Sequence, residues 1–594
     1  MLYAADFETT TDENDCRVWA WAVCEVGNPE YFQYGNRIET FMSFMEKSDN
    51  STFYFHNLKF DGEFLFVWLF ENGFKHTIKK EDKASRTFNT LISDKGQFYS
   101  IEIIFEKKGK KTRKATIYDS LKIIPFSVKD IASGFNLPIS KLELDYKAKR
   151  EVGHDLTEEE IAYIRNDVDI VARALFVLFQ QNLNKMTQGS NALHDYKQMT
   201  GKKNFERWFP TPDYDADVRQ SYKGGYTFLN PPYKELDVRT GLVLDVNSLY
   251  PWVMHDCPLP YGEPIFFKGK YEPDKLYPLY TQMFTCQFEL KKGHLPTVQL
   301  KNNLSFIPTQ YLTSSEDEEV TMCMTSVDLE LFLEHYEVFN PTWHNGWKFR
   351  ATTGLFSDYI DKWMKVKIES SKTGNKSMRT LSKLMLNALY GKFALNPQVC
   401  SKYPVYVDGK IGYIKGEKEL REPLYIPVGT FITAWARHKT ITSAQKVYDL
   451  FAYADTDSLH LVIPLPEKLF ERSDKELENL TTADLQKLGV PLPDDFEVDP
   501  VALGAWKVEG VFTRARFLRQ KSYIEDRNLP STWDTEEYNK KLLKITCAGM
   551  PQSCYEHVTW DNFHIHSSFE GKLVPKHVKG GIILTDTIFT IKAT

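Results

Sequence analysis

The sequence predicts a multidomain fold of mixed α/β and α+β character, and three observations carry that prediction. The chain has 594 residues, too many for one core, and at ~150 residues per domain it divides into three to five units. Leu2-Tyr3-Ala4-Ala5-Asp6-Phe7-Glu8 alternates with the two-residue period of a strand, whereas Thr157 and Glu160 form a capping box that opens a helix. Residues 450–463 read as apolar run, acidic turn, apolar run, which is a hairpin with Asp455 and Asp457 at its tip.

Composition narrows the class. Hydrophobic content of 42% and charged content of 26% suit a folded protein, and no stretch of about 20 apolar residues or basic leader precedes the first strand. A cytoplasmic location is expected. The eight cysteines are scattered, form no CxxC pair and suit a reducing compartment. Cys547, Cys554, His557, His564 and His566 fit no common zinc spacing. Aromatic content of 14% serves either large cores or base-stacking platforms, and abundance does not separate the two. Net charge of −6 advertises no nucleic-acid binding by the whole surface, but a basic channel within an acidic protein is compatible with it.

The first strand places Asp6 and Glu8 on one face, with Thr9 ending the run. Phe53-Tyr54-Phe55 reads as an aromatic strand that opens into a polar loop, His56 to Gly62 with Asp61, before a helix-like run over 63–70. On the helix that starts at Thr157, Tyr163 and Asp167 are four apart and share a face, and Asp169 falls on another. Asp6, Glu8, Asp61 and Asp167 are thus candidates to converge on a metal pair, with Tyr163 to orient a water. The basic loop 107–114 is either a solvated hairpin tip or a phosphate contact.

A polar stretch at 182–201 marks a junction. In Tyr222-Lys223-Gly224-Gly225 the paired glycines permit close backbone approach to a ligand. An apolar strand over 241–244 delivers Asp245 at its end, followed by a turn with free N–H groups and Tyr250. Two helices, 354–367 and 377–393, flank a Ser/Lys/Gly/Asn loop at 370–376. Lys383, Asn387 and Tyr390 recur at helical spacing as one polar stripe, where a lysine can meet a triphosphate and a tyrosine a base. At the hairpin tip, Asp455 and Asp457 repel one another, and a divalent cation relieves that cost. Mg²⁺ favours one or two carboxylates plus phosphate oxygens. Between 505 and 521, Lys507, Arg514, Arg516, Arg519 and Lys521 oppose only Glu509, a pattern suited to nucleic-acid backbone contacts.

These segments resemble known motifs. DxE at Asp6, NxxxD at Asn57 and YxxxD at Tyr163 resemble the three motifs of DEDD proofreading exonucleases. DxxSLYP at Asp245, KxxxNxxYG at Lys383 and YxDTDS at Tyr453 resemble motifs A, B and C of family B DNA polymerases. Thr433–Arg437 resembles TxxAR, Lys521–Tyr523 resembles KxY, and Tyr222–Gly225 resembles YxGG. Together they cover nearly the whole chain, which is similar to the protein-primed polymerases of the phi29 type.

The resemblance implies an RNase H-like 3′–5′ exonuclease over 1–187 and a right-hand polymerase. Its palm spans 188–256 and 428–546, its fingers 355–395 and its thumb 547–594. Insertions at 257–354 and 396–427 would contact a priming protein and close a ring around DNA, favouring processivity and strand displacement. Asp245, Val246 and Asp457, with Asp455 beside them, would hold two Mg²⁺ ions, for which Mn²⁺ can substitute; Asp6, Glu8, Asp61 and Asp167 would hold the exonuclease pair. Tyr250 would exclude a 2′-hydroxyl, and Lys367, Arg379, Lys383, Asn387 and Tyr390 would shape the nucleotide site. DNA contacts would come from Tyr222, Gly224, Gly225, Thr433, Arg437, Lys521 and Tyr523, and in the exonuclease from Thr9, Tyr54, His56, Asn57, Phe60, Phe64, Ser120 and Leu121. Implied partners are primer-template DNA, dNTPs and the priming protein, in a monomer or a heterodimer with that protein and without a membrane.

The chain also departs from the family. Motif B has Ala388 where Ser is usual, and residues 466–500 form an insertion without an assigned role. The exonuclease lysine expected after Asp145-Tyr146 meets Ala148, which leaves Lys147 or Lys149 to substitute. A nuclease with a merely DNA-binding C-terminal region, or a clamp-like relative, predicts loss of Asp245, Asp455, Asp457 or Lys383, and all four are present.

Overall fold

A computed structural model describes residues 1–593 except 49, 147, 302 and 304. Three sheets organise it. The N-terminal sheet has eight strands, in the order Asn28–Gly35, Val18–Glu25, Leu2–Thr9, Thr52–Phe55, Lys111–Asp119, Phe98–Lys108, Thr87–Ile92 and Lys75–His76. Leu2–Thr9, Thr52–Phe55 and Lys111–Asp119 run parallel at its centre. Their aromatic side chains fill one face beneath the helix Leu58–Glu71, while the helix Glu158–Gln180 covers the other. That second helix carries the expected capping box between Thr157 and Glu160. The first helix begins at Leu58, earlier than the loop expected there, so Asp61 lies in its first turn.

The central sheet is antiparallel throughout, in the order Leu543–Cys547, Ser522–Asp526, Trp506–Arg519, Asp237–Val246, Ser458–Val462, Phe451–Asp455 and Thr227–Leu229. The strands bearing Asp245 and Asp457 are therefore neighbours although some 200 residues separate them in the chain. Between them in sequence come a four-stranded sheet with the helix Ser326–His335, then the helices Ser357–Thr373 and Lys376–Ala388, and then the hairpin Gln398–Val407/Lys410–Leu420. The loop expected at 370–376 is tighter than its composition suggests. Gly374 takes a left-handed C-cap, and the Asn375 side chain caps the next helix by accepting from the Met378 N–H at 3.1 Å.

Residues 466–500 are folded. Two short helices, Asp474–Glu478 and Thr482–Lys487, each open on a capping box. Leu469, Leu477, Leu485 and Phe496 extend the main core beneath them.

Two hairpin tips meet on the N-terminal domain. Ile411 from the middle hairpin joins Val578, Ile582 and Ile583 from the C-terminal hairpin Ser568–Val578/Gly581–Thr590 in the same core as Phe64. Glu63 is buried at this junction. The Tyr413 hydroxyl donates to it at 2.7 Å, His577 lies 3.5 Å away, and burial lifts its carboxyl to about 7.

Candidate active sites

Two carboxylate clusters stand out. In the N-terminal domain, Asp6 and Glu8 project from one face of the first strand, and Asp167 reaches them from the helix above. One oxygen from each lies within 4.8 Å of the others. Asp61 is outside this trio but close enough for the charges of Asp6 and Glu8 to act on it. Burial, reinforced by neighbouring carboxylates, raises Asp6 to about 7 and raises Glu8 and Asp61 well above their usual range. Burial also raises Asp167, against the pull of Lys141. Asp167 Oδ1 is buried without a hydrogen-bond partner. A trio of hard oxygens with an orphaned lone pair fits a divalent cation. Tyr163 is buried beside it, its hydroxyl 2.5 Å from that of Tyr146.

The lysine of this cluster is Lys141, which bonds Asp167 Oδ2. Neither Lys147 nor Lys149, the two expected there, is seen at the cluster among the described residues. Lys149 is exposed and pairs with Glu151, and Lys147 falls outside the described residues. Lys141 arrives from an irregular segment, so no helical or strand spacing marks it. Asp169 is bound to Arg173 and takes no part.

The charge crowding has a measurable consequence. A carboxyl whose folded pKa is raised contributes stability that is complete at low pH and lost as pH rises through the folded value. In metal-free protein at pH 8, Asp6→Asn should therefore stabilise the fold by about 1–3 kcal/mol, raising its melting temperature by a few degrees. The gain should shrink toward pH 4. Thermal melts in a chelator at both pH values test this, and no gain at pH 8 would refute the crowding.

Several residues expected to touch a DNA strand lie below the surface. Tyr54 packs against Tyr118 and Phe179, Phe64 sits in the core, and Ser120 is fully buried, donating to the Phe55 carbonyl. His56 bridges Ser120 Oγ at 3.0 Å and the Phe126 carbonyl at 2.7 Å. Asn57 takes a left-handed backbone whose N–H donates to Asp119 Oδ1. Asn57 is itself exposed, and Thr9, His56, Phe60 and Leu121 are half-buried.

The second cluster lies on the central sheet. Asp245 pairs in register with Ser458 on one side and Lys507 on the other. The Val246 N–H donates to the Asp457 carbonyl at 2.7 Å, which locks the two acidic segments together. Burial and then the charge of Asp457 raise Asp245 to about 7; burial raises Asp457 as well. Asp245 and Asp457 line one cavity whose opposite wall carries Lys367, Arg379, Lys383 and Asn387. Tyr250 closes the floor, stacked on Tyr390 with ring centroids 3.9 Å apart. Asp455 points elsewhere: Thr227 Oγ1 donates to it at 3.0 Å, and Lys521 Nζ lies 3.3 Å away.

The turn bearing Asp457 is held from behind. Thr456 has a left-handed backbone (φ 61°), its N–H donates to the Tyr226 carbonyl, and its own carbonyl accepts from Thr440. Gly225 is a glycine for this reason: a Cβ there would stand 2.5 Å from Thr456 Oγ1. Arg437 and Thr433, expected on DNA, are internal. Arg437 is buried, forks onto Asp328 and donates to the carbonyls of Lys223 and Gly224, fixing the loop that holds Tyr222 and Gly225. The hydroxyl of Thr433 returns to its own helix. Tyr523 packs on Tyr453, whose hydroxyl accepts from the Lys521 N–H. The basic strand is also mostly internal: Arg514 pairs with Asp526, Arg516 with Asp237, and Arg519 donates to the Lys592 carbonyl.

Comparison with known proteins gives the family of the chain. A sequence model for the family "DNA polymerase type B, organellar and viral" matches residues 42–154 and 147–475. The chain is 44% identical over 602 residues to the DNA polymerase of Bacillus phage M2, and 43% identical over 602 residues to that of Bacillus phage phi29, covering 100% of this chain and 99% of each relative. The DNA polymerase of Streptococcus phage Cp-1 is 32% identical over 619 residues, again covering 100% of this chain and 99% of that relative. Among solved structures, phi29 DNA polymerase complexed with primer-template DNA and incoming nucleotide substrates superposes over all of both chains at 43% identity with a TM-score of 0.88. Among the described residues, no helix is long and apolar enough to cross a membrane.

Proposed function

Because this chain belongs to the phi29-type DNA polymerases, within the organellar and viral type B family, it is a DNA-directed DNA polymerase of DNA replication, and we propose that it extends DNA at Asp245 and Asp457 and removes mispaired 3′ ends at Asp6, Glu8, Asp61 and Asp167. The observation that carries this reading is the cavity in which Asp245, at the end of one strand, and Asp457, in the turn of the adjacent hairpin, face four cations on two helices. Asp245 and Asp457 at one site, and Asp6, Glu8, Asp61 and Asp167 at the other, would hold two divalent ions each, Mg²⁺ with Mn²⁺ able to substitute, which when bound would supply charge for the attacking and leaving oxygens. The protein's own part is positioning. The sheet fixes both acids, and Lys367, Arg379 and Lys383 receive the triphosphate. Tyr250 on Tyr390 supplies a rigid floor under the sugar. Lys521, between Asp455 and the Tyr453 hydroxyl, is placed to hold the primer terminus.

In this reading residues 1–187 are the exonuclease, 188–256 and 428–546 the palm, 355–395 the fingers and 547–594 the thumb. Residues 257–354 receive a priming protein, and 396–427 close the path around DNA. The shared core at the two hairpin tips supports that closure. Replication by such an enzyme is processive, displaces the non-template strand and takes place in the cytoplasm of a bacterial host.

Primer extension on a primed single-stranded circle with Mg²⁺ and four dNTPs tests the proposal. Products longer than the circle are expected, and failure to extend at all would end it. Tyr250→Val should raise ribonucleotide incorporation about 100-fold relative to dNTPs, the scale on which a pocket discriminates a single hydroxyl by shape. Single-nucleotide kinetics with matched rNTP and dNTP check it, and an unchanged ratio would remove Tyr250 from that role.

A further inference from the structure

On the strand Trp506–Arg519, Lys507 stands apart from its basic neighbours. Arg514, Arg516 and Arg519 are taken up by Asp526, Asp237 and the Lys592 carbonyl, and Glu509 on the same face pairs with Lys544 at 3.3 Å. Lys507 instead points into the cavity of Asp245 and Asp457. Its Nζ lies 3.9 Å from Asp245 Oδ1, beyond hydrogen-bond distance, and this is its one ion pair among the described residues. Its three donors are therefore uncommitted.

The electrostatics of the cavity say what it is built to receive. Lys367 is held below its usual pKa by burial and then by the positive charges of Lys507, Lys383 and Arg379. Five cations, Lys367, Lys376, Arg379, Lys383 and Lys507, crowd one cavity and repel, as do Asp245 and Asp457 beside them, and Lys507 offsets the acids only in part. A polyanion that also brings a divalent ion relieves both. The other four cations sit on two helices, whereas Lys507 sits on the sheet that carries the acids.

Resting on the polymerase reading above, we propose that Lys507 is a phosphate-binding residue of the nucleotide site. It grips the triphosphate of the incoming nucleotide from the palm side, opposite the grip of the fingers, and sets nucleotide affinity. Its ammonium group acts as a compact point charge on phosphate oxygens that later leave as pyrophosphate.

Single-nucleotide incorporation by full-length wild type, K507M and K507R on one primer-template, at saturating Mg²⁺ and then across a Mg²⁺ titration, tests this, with inorganic pyrophosphate as a competing probe. K507M should raise the apparent dNTP dissociation constant and the pyrophosphate inhibition constant together, each about 10- to 30-fold, the worth of one charged hydrogen bond. The maximal rate should fall less, about 3-fold. K507R, which keeps the charge, should recover most of both constants. Single-strand degradation by each variant serves as the control for folding. If K507M leaves both constants unchanged, the proposal is overturned. It is equally overturned if only the Mg²⁺ dependence moves, since Lys507 would then merely tune Asp245. K507R no better than K507M at equal degradation activity also refutes it, because charge would not be the cause. A wild type that incorporates nothing would instead overturn the polymerase reading itself.

Discussion

Asp457→Asn should lower primer extension by about 10³-fold or more while degradation of a single-stranded 3′ end by the same preparation stays within about 2-fold of wild type. The substitution keeps shape and hydrogen bonding but removes one of the two charges that face each other across paired strands. The fold should tolerate it well, because removing that charge also relieves the repulsion that raises Asp245. The lost activity thus comes from the missing ligand charge. Extension and degradation assays run side by side decide the matter; equal loss of both would mean that the hairpin serves as scaffold for the whole molecule.

The reciprocal experiment has an effect of similar size. Asp6→Ala combined with Glu8→Ala should abolish 3′-end degradation, by about 10³-fold or more, and leave extension of a matched primer intact. The two side chains occupy one face of a strand in a different sheet from Asp245, and they share their cluster with Asp167 alone at close range. A mismatched primer sharpens the test. The variant should stall on it or extend it uncorrected, whereas wild type should trim it first. If matched extension fell together with degradation, the two sites would not be independent.

What was legible in the sequence is what local spacing encodes. The two-residue period put Asp6 and Glu8 on one face, the i, i+4 relation put Tyr163 beside Asp167, and Thr157 announced its helix. The acidic hairpin was equally plain, because its apolar flanks are both buried strands. Lys141 was missed because it comes from irregular chain 26 residues before Asp167, and only the folded path brings them together. Arg437 and Thr433 were assigned to DNA through the resemblance of Thr433–Arg437 to TxxAR, and a motif does not say which of its side chains faces the interior. The forked partner of Arg437, Asp328, lies 109 positions away. Lys507 was grouped with four basic neighbours; pairing across strands, invisible in one segment, gives each a different fate. Whether residues 466–500 fold was not legible, because their apolar residues are short pairs without a period. Their order comes from caps and from docking on the main core.

The shared core beneath the two hairpin tips has a consequence for synthesis of the chain. Phe53, Phe55 and Ile117 leave the ribosome well before Ile411 and then Val578, Ile582 and Ile583, which complete the same core. More than 460 residues separate Ile117 from Ile583, a delay of roughly 25–90 s at bacterial elongation rates. During that interval the nascent domain presents an uncovered apolar face around Phe64, and a hairpin translated long after it is the one that seals it.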